Sequence, residues 1–495
     1  MSRVAVIASG SKAYPLATPF HPPERYPEMA ASQLRNGPVD PTNGAYAAVR
    51  DALWHLGLDA PRRGTPSWSP FRDLARPGDM VLVKPNWVAE GHHRDGTWEQ
   101  IITHGAVLRA VLDYVALALE GRGTIALADG PMQSSDFEAI VSQSGVRGIE
   151  RFYRSTFGGI RLEVLDLRET YLETRDDVIV RRHDLPGDPR GSGRIDLGTR
   201  SQFYGFRGEG RYYGADYDTS EVNDHHRAEL QEYRLSGTAL SADLILDVPK
   251  LKTHQKVGVT LALKGVVGLN CGRNWLPHRT QGTPEQGGDQ FAESGVLQRA
   301  EHWIIRSMEQ ASLRFPTAAP SVYRVAKRVG RKVFGATDAT IRGGGWHGND
   351  TIWRMVLDIN RALAYGDLEG RLRDTPRRRF CVVDGIVAGE GTGPIYADAR
   401  PCGVVVAGAN PVAVDVACAE LMGFDPATIP MLANALAPHP LPLFEGSPDD
   451  VRIESNLETL RGSLARLAAA TPFEFRAPLG WVGHIERRVP AGARE

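Results

Sequence analysis

Apolar residues along this chain come mostly in short unbroken runs, and several of the runs end in the same way. Residues 4–8, 80–83, 124–128, 243–248, 379–383 and 404–407 are each four to six positions long and carry at most one or two charges. Runs of that length without polar alternation fit strands covered on both faces, as in a parallel sheet. Between them, residues 46–56, 104–119, 350–364 and 411–421 carry apolar positions at helical spacing, the last opened by Pro411 at the favoured first turn. Strand, helix and strand in succession imply right-handed parallel crossovers. The predicted fold is therefore α/β: a mainly parallel open sheet with flanking helices and a large loop-rich insertion.

The stretch 241–270, SADLILDVPKLKTHQKVGVTLALKGVVGLN, organises the rest. Its apolar run stops at Pro249, which cannot donate to a sheet ladder. A polar cluster of Lys250, Lys252, Thr253, His254 and Lys256 follows, then an apolar segment whose one charge is Lys264. The expected arrangement is strand, cationic turn, helix, which would set several positive charges and a helix N-terminus at one sheet edge, a seat for phosphate. A solvated lysine turn is the plainer alternative. Lys264 weighs against it, because an ammonium inside an apolar segment must reach solvent or meet an anion.

Lys84, Asp129, Lys250, Asp384 and Asn410 all fall at or just past the end of an apolar run. In an open parallel sheet those ends share the edge where ligands bind. The predicted division of labour puts phosphate or nucleotide on Lys84, Asn86, Lys250, Lys252 and Lys264. Asp384, Glu390 and His254 are the candidate ligands of a divalent metal, Mn or Mg, and His254 and Glu390 the candidate proton carriers. Asp384 and Glu390 could equally cap a turn in the glycine-rich 385–394 segment, read here as a loop.

The organisation expected is a first part of the core at 1–150 and an insertion or cap at 151–235, rich in Arg, Asp, Gly and Tyr. A second part of the core follows at 236–436 with a loop-rich helical insertion at 271–350, and then a proline-rich, weakly ordered extension at 437–495. Residues 14–41 read as an irregular arm or lid. Helices are predicted at 292–315 and 321–334, the second strongly basic. His225 and His226 are adjacent and could ligate metal, but lack a third ligand within sequence reach and read as exposed polar residues. The glycines at 343, 345 and 348 match GxGxxG in form only, since no apolar run precedes them.

Composition narrows the class. Over 495 residues the net charge is −1, with 42% hydrophobic and 24% charged residues, the profile of a globular enzyme and not of a nucleic-acid coat. No apolar run is long enough to cross a bilayer and the N-terminus reads as a strand, so a cytoplasmic protein without membrane or nucleic-acid partners is expected, with self-association left open. Cys271, Cys381, Cys402 and Cys418 form no CxxC pair, which predicts reduced structural cysteines and no iron-sulfur cluster. Walker, GxSxG and HExxH motifs are absent, and no flavin fingerprint is found.

VLVKPNW at 81–87, DLILDVPKLKTH at 243–254, LKGVVGLN at 263–270 and VVDGIVAGEGTGP from 382 resemble the family described as domain of unknown function 362. GVVVAGANPVAVDVACAELMGFDP, ending at 426, extends the likeness. Some of its members append a ferredoxin-like cysteine cluster that this chain lacks. The resemblance implies a place in actinobacterial sugar or antibiotic pathways. The function expected is a metal-dependent enzyme on a nucleotide-diphosphate sugar, in its sharpest form a flavin-independent pyranose/furanose mutase. A redox protein and a non-catalytic anion-binding protein are the alternatives.

Overall fold

A computed structural model describes residues 2–293 and 343–487, less 31, 35–36, 176–177, 216–217 and 471–472, together with position 307. The helices expected between 292 and 334 lie outside the described residues but for 292, 293 and 307. The strands that position the site are β1 Ser2–Ala8, β2 Met80–Pro85, β3 Gly123–Asp129, β4 Ile160–Asp166, β5 Thr170–Arg175 and β6 Val178–Asp184. They continue with β7 Leu244–Val248, β8 Lys250–His254, β9 Arg379–Thr392, β10 Tyr396–Gly408 and β11 Val451–Ser455.

The main sheet runs β11-β1-β10-β9-β7-β2-β3-β4, with the short Gly462–Ser463 outside β11 and β8 lying along β9. From β9 to β4 every neighbour is parallel, while β10 is antiparallel to both β9 and β1. The α/β expectation holds. Both faces are covered, so alternate residues of one run enter different cores: Val4 and Val6 pack on one side, Ala5 and Ile7 on the other. This is why the runs show no polar alternation. Helices α1 Gly44–His55 and α2 Gly105–Ala118 cover one face. On the other face lie α3 Leu261–Gly265, α4 Ile352–Tyr365 and α5 Pro411–Leu421.

The chain lays β2, β3 and β4 outward in order and then returns to place β7 on the other flank of β2. That reversal opens a crevice beyond the carboxyl ends of β7, β2 and β3, the position where open α/β sheets take their ligands.

Four sequence expectations change. The cationic turn is a strand: after Pro249 the chain continues as β8, pairing Lys250 with Asp384 and Lys252 with Gly389 of β9, and every residue of β8 is buried. The glycine-rich 385–394 loop is largely strand as well. β9 pairs with β10 through Thr392, and a Cβ on Gly389 would come within 3.0 Å of Gln100, Ala397 and Lys252, so this glycine serves close packing. The carboxy-terminal extension is not weakly ordered throughout, because β11 pairs parallel with β1. Finally, the expected insertion opens with the end of the helix Val146–Thr156 and with β4, a member of the main sheet, and its separate part starts only at the β5–β6 hairpin. All four cysteines are buried and free. No helix among the described residues is long and apolar enough to cross a membrane.

Candidate anion-binding site

A cavity of about 470 Å³ occupies the crevice. One wall comes from the segments after β2 and β3: Asn86, Trp87, Asp129 and Gly130. The facing wall comes from the end of β8 and from α3 with the turn behind it: His254, Gln255, Lys256, Lys264, Gly268, Arg273 and His278. Leu172, Thr174 and Ile179 of the β5–β6 hairpin line it from the insertion. The insertion therefore contributes to the cavity, as a cap would.

The α3 wall is shaped by a strained turn. Leu261 adopts φ 48°, a left-handed conformation that costs a branched residue on the order of 1–3 kcal/mol. It is held by the buried Asp415 of α5, whose oxygens accept the amides of Ala262 and Leu263 at 2.8 Å each. Burial outweighs those two bonds and raises the Asp415 carboxyl to about 8. The helix N-terminus expected to seat phosphate is thus already occupied by a carboxyl group of the protein itself.

Cations dominate the cavity. Among the described residues no ion pair or hydrogen bond holds the ammonium of Lys256 or Lys264. Burial, helped by Arg279 beside Lys256 and by Arg273 and Lys84 beside Lys264, lowers them to about 7 and about 8. Arg273 is lowered mainly by burial; its guanidinium donates to the Val267 carbonyl at 3.1 Å and to that of Pro131 at 3.4 Å. His254 and His278 are held well below the usual histidine range by burial and the surrounding lysines. Asn86 Oδ1, Trp87 Nε1 and Gln255 Oε1 are buried without a hydrogen-bond partner. Repelling cations with orphaned polar atoms beside them are the arrangement that an anionic ligand would relieve.

Asp129, the one carboxylate lining the cavity among the described residues, is neutralised by Lys84 at 2.9 Å and also accepts the amides of Trp87 and Gly130 at 2.7 Å each. Gly268 makes room for this pair, since a Cβ there would sit 1.9 Å from Asp129 Oδ1 and 3.0 Å from Lys84 Nζ.

The structure brings only part of the predicted site together. Asn86, His254 and Lys264 line the cavity, and Lys84 stands behind Asp129. Lys250 does not face it. Its ammonium donates to Asp384 Oδ2 at 2.8 Å, to the Tyr14 hydroxyl at 2.8 Å and to the Val387 carbonyl at 3.2 Å. Lys252 donates to the Ile101 carbonyl at 2.5 Å and is likewise sealed.

The three predicted metal ligands do not converge. Both oxygens of Asp384 are taken, Oδ1 by the Tyr14 hydroxyl (2.6 Å) and Oδ2 by Lys250 and the His104 amide (2.9 Å). Glu390 is clamped by Arg400 at 2.8 Å and Arg476 at 2.9 Å. His254 spends Nδ1 on the Lys256 amide at 3.1 Å. Among the described residues no group of three or more His, Cys, Asp or Glu could hold a metal ion. Asn410 caps α5. Nor are His225 and His226 an exposed pair: His225 stacks on Trp275 and bonds Glu232 at 2.8 Å, and the buried His226 bridges Gln231 and the Trp275 carbonyl.

Sequence reasoning did not single out Arg273 and His278, and it named Lys256 only within the polar cluster. The two former lie in CGRNWLPHR, a segment without periodicity, where the available signal was its position just after the lysine-bearing helix.

The family described as domain of unknown function 362 matches residues 202–420. That segment contains the whole cationic wall, but not Lys84, Asn86 or Asp129. The thylakoid-associated protein sll1697 of Synechocystis sp. is 40% identical over 222 residues, 45% of this chain and 44% of that protein. The chain thus spans less than half of the curated relative it matches.

Proposed function

We propose that this chain is an enzyme that takes a phosphorylated small molecule into the crevice cavity. In its sharp form the substrate is a nucleotide-diphosphate sugar and the reaction a pyranose/furanose isomerisation. The observation that carries the reading is the convergence of Lys256, Lys264 and Arg273 on one cavity in which neither lysine ammonium has an ion-pair partner among the described residues. A diphosphate carries the matching charge, and charge-assisted bonds to phosphate oxygens are the strong ones. The cavity volume falls in the range of small-molecule sites, about 300–1,000 Å³. The nucleotide sugar and the ring-size change are carried over from the sequence expectation, to which the family resemblance contributes only the link to sugar and antibiotic pathways.

In this reading the lysines and Arg273 hold the phosphates and the sugar lies toward Asn86, Trp87 and Asp129. Residues able to move protons sit beside it. A divalent metal was expected from Asp384, Glu390 and His254. Those residues do not fit one ion together, so no step is routed through a metal. The substrate class belongs to the cytoplasm, where we place the protein; the thylakoid association is that of the relative.

The test is thermal stabilisation by inorganic pyrophosphate, nucleoside diphosphates and nucleotide sugars, each with Mn²⁺ and with chelator, followed by a turnover assay on whichever binds. Binding to the folded state raises the melting temperature by mass action. Stabilisation by pyrophosphate and one nucleotide family supports the reading. No shift with any phosphate compound removes it, and binding without turnover leaves a non-catalytic anion-binding protein.

A further inference from the structure

We propose that His278 is the general base of this site and His254 a neutral hydrogen-bond donor beside it, their opposite tautomers fixed by the main chain; the proposal rests on the phosphate-binding reading above.

The assignment follows from what each ring already bonds. His254 Nδ1 accepts the backbone N–H of Lys256 at 3.1 Å, so its own ring proton is on Nε2. His278 Nδ1 lies 2.7 Å from the Leu276 carbonyl oxygen. A carbonyl can only accept, so that Nδ1 carries the proton and Nε2 holds the lone pair. Two histidines lining one cavity thus differ in the nitrogens left without a partner among the described residues, one a donor and the other an acceptor. The backbone sets the difference in both cases, through turns local in sequence.

Their surroundings keep both rings neutral. Lys252 of β8, Lys256 beyond it and Lys264 of α3 bear on His254; Lys256, Lys264 and the neighbouring Arg279 bear on His278. An imidazolium in that field is unfavourable until some of the positive charge is offset. Bound phosphate does this, so His278 becomes a competent base only with the anion in place. A neutral imidazole that polarises an oxygen beside a separate base is an established division of labour. It would make an unphosphorylated sugar a poor substrate even if it entered.

The step assigned to His278 is a proton transfer. Its Nε2 lone pair takes the proton of a substrate hydroxyl while that oxygen's electrons form a new bond to carbon. The electron pair of the broken carbon–oxygen bond goes to the departing oxygen, which is polarised by His254 Nε2–H and takes a proton from the ammonium of Lys256 or Lys264. One proton is gained and one lost by the protein, and no oxidation occurs.

Diethyl pyrocarbonate tests this on the full chain, because it acylates an unprotonated ring nitrogen that has a free lone pair. Peptide mapping is expected to find His278 modified and His254 spared, with the loss of rate at His278 on acidification setting in at lower pH than for an exposed histidine, because burial and the neighbouring cations disfavour its charged form. Saturating pyrophosphate should protect His278. A long-range proton–nitrogen spectrum of histidine-labelled protein, assigned with His254→Gln and His278→Gln, should show the proton on Nδ1 of His278 and on Nε2 of His254. Modification of His254 with His278 spared, or the reverse tautomers, overturns the assignment. Failure of pyrophosphate to protect His278, with pyrophosphate binding intact by calorimetry, overturns the role of His278 and leaves the anion site standing. Absence of pyrophosphate binding sinks the phosphate reading itself.

Discussion

Lys250 and Lys264 come from one strand-and-helix unit, and the protein treats them in opposite ways. Lys250 is sealed against Asp384 with neither side chain exposed, in a cluster completed by Tyr14, whose ring stacks on His104 at 3.8 Å. Lys264 lines a cavity without a carboxylate partner. The first pair ties the amino-terminal arm to the centre of the sheet; the second keeps an unbalanced charge at the switch point of the sheet. A lysine near this sheet edge therefore indicates a binding site only when no carboxylate from elsewhere reaches it.

The sharpest way to break that contrast is Asp384→Asn. Removing one partner of a buried pair leaves an uncompensated charge and costs about 3–5 kcal/mol. A urea titration should show the loss, while the folded variant keeps its pyrophosphate affinity. Unchanged stability with weakened binding would reverse the roles given to the two lysines.

Lys264→Met should do the opposite. Losing a charge-assisted contact is worth about 1.5–3 kcal/mol of pyrophosphate affinity, roughly ten- to a hundredfold by calorimetry. Stability should hold or rise, because a half-buried ammonium opposed by Arg273 and Lys84 has gone. Full affinity in this variant would take Lys264 out of the site.

Gly268→Ala probes the boundary between the two environments. The added methyl would collide with the Lys84–Asp129 pair, and overpacking of this kind costs about 1–3 kcal/mol. Both the melting temperature and pyrophosphate binding should fall. If neither moves, the pair has room to shift and does not fix the cavity wall.

The smallest effect expected is with pH. Lys256 and Lys264 sit at about 7 and about 8 when folded, against 10.5 for a free lysine. Because the unfolded chain binds these protons more tightly, the penalty is complete below about pH 7. Stability then recovers as pH climbs from there toward 10.5. Pyrophosphate favours the ammonium forms, so its affinity should fall through the same rise from about pH 7 to 8. Comparison with Lys256→Met isolates the lysine share; identical pH profiles in the two proteins would mean that Lys256 does not meet the anion.

The amino-acid sequence determined a good deal of this. Unbroken apolar runs specify strands buried on both faces, since no polar alternation survives when both sides are covered, and helices between the runs impose parallel order. From that alone Lys84, Asp129, Lys250, Asp384 and Asn410 could be set near one sheet edge; the structure keeps Asp129 at the cavity with Lys84 behind it, seals Lys250 against Asp384 and spends Asn410 as a helix cap. The tertiary structure decided which charges are spent and which are free. Lys250 finds Asp384 across 134 positions, Glu390 finds Arg476 across 86, and Asp415 reaches the α3 amides across 152 and 153. Such pairings depend on which strands become neighbours and on the register between them. A local pattern carries neither, so a chain that announces its strands in short runs can still conceal which of its lysines are left to bind.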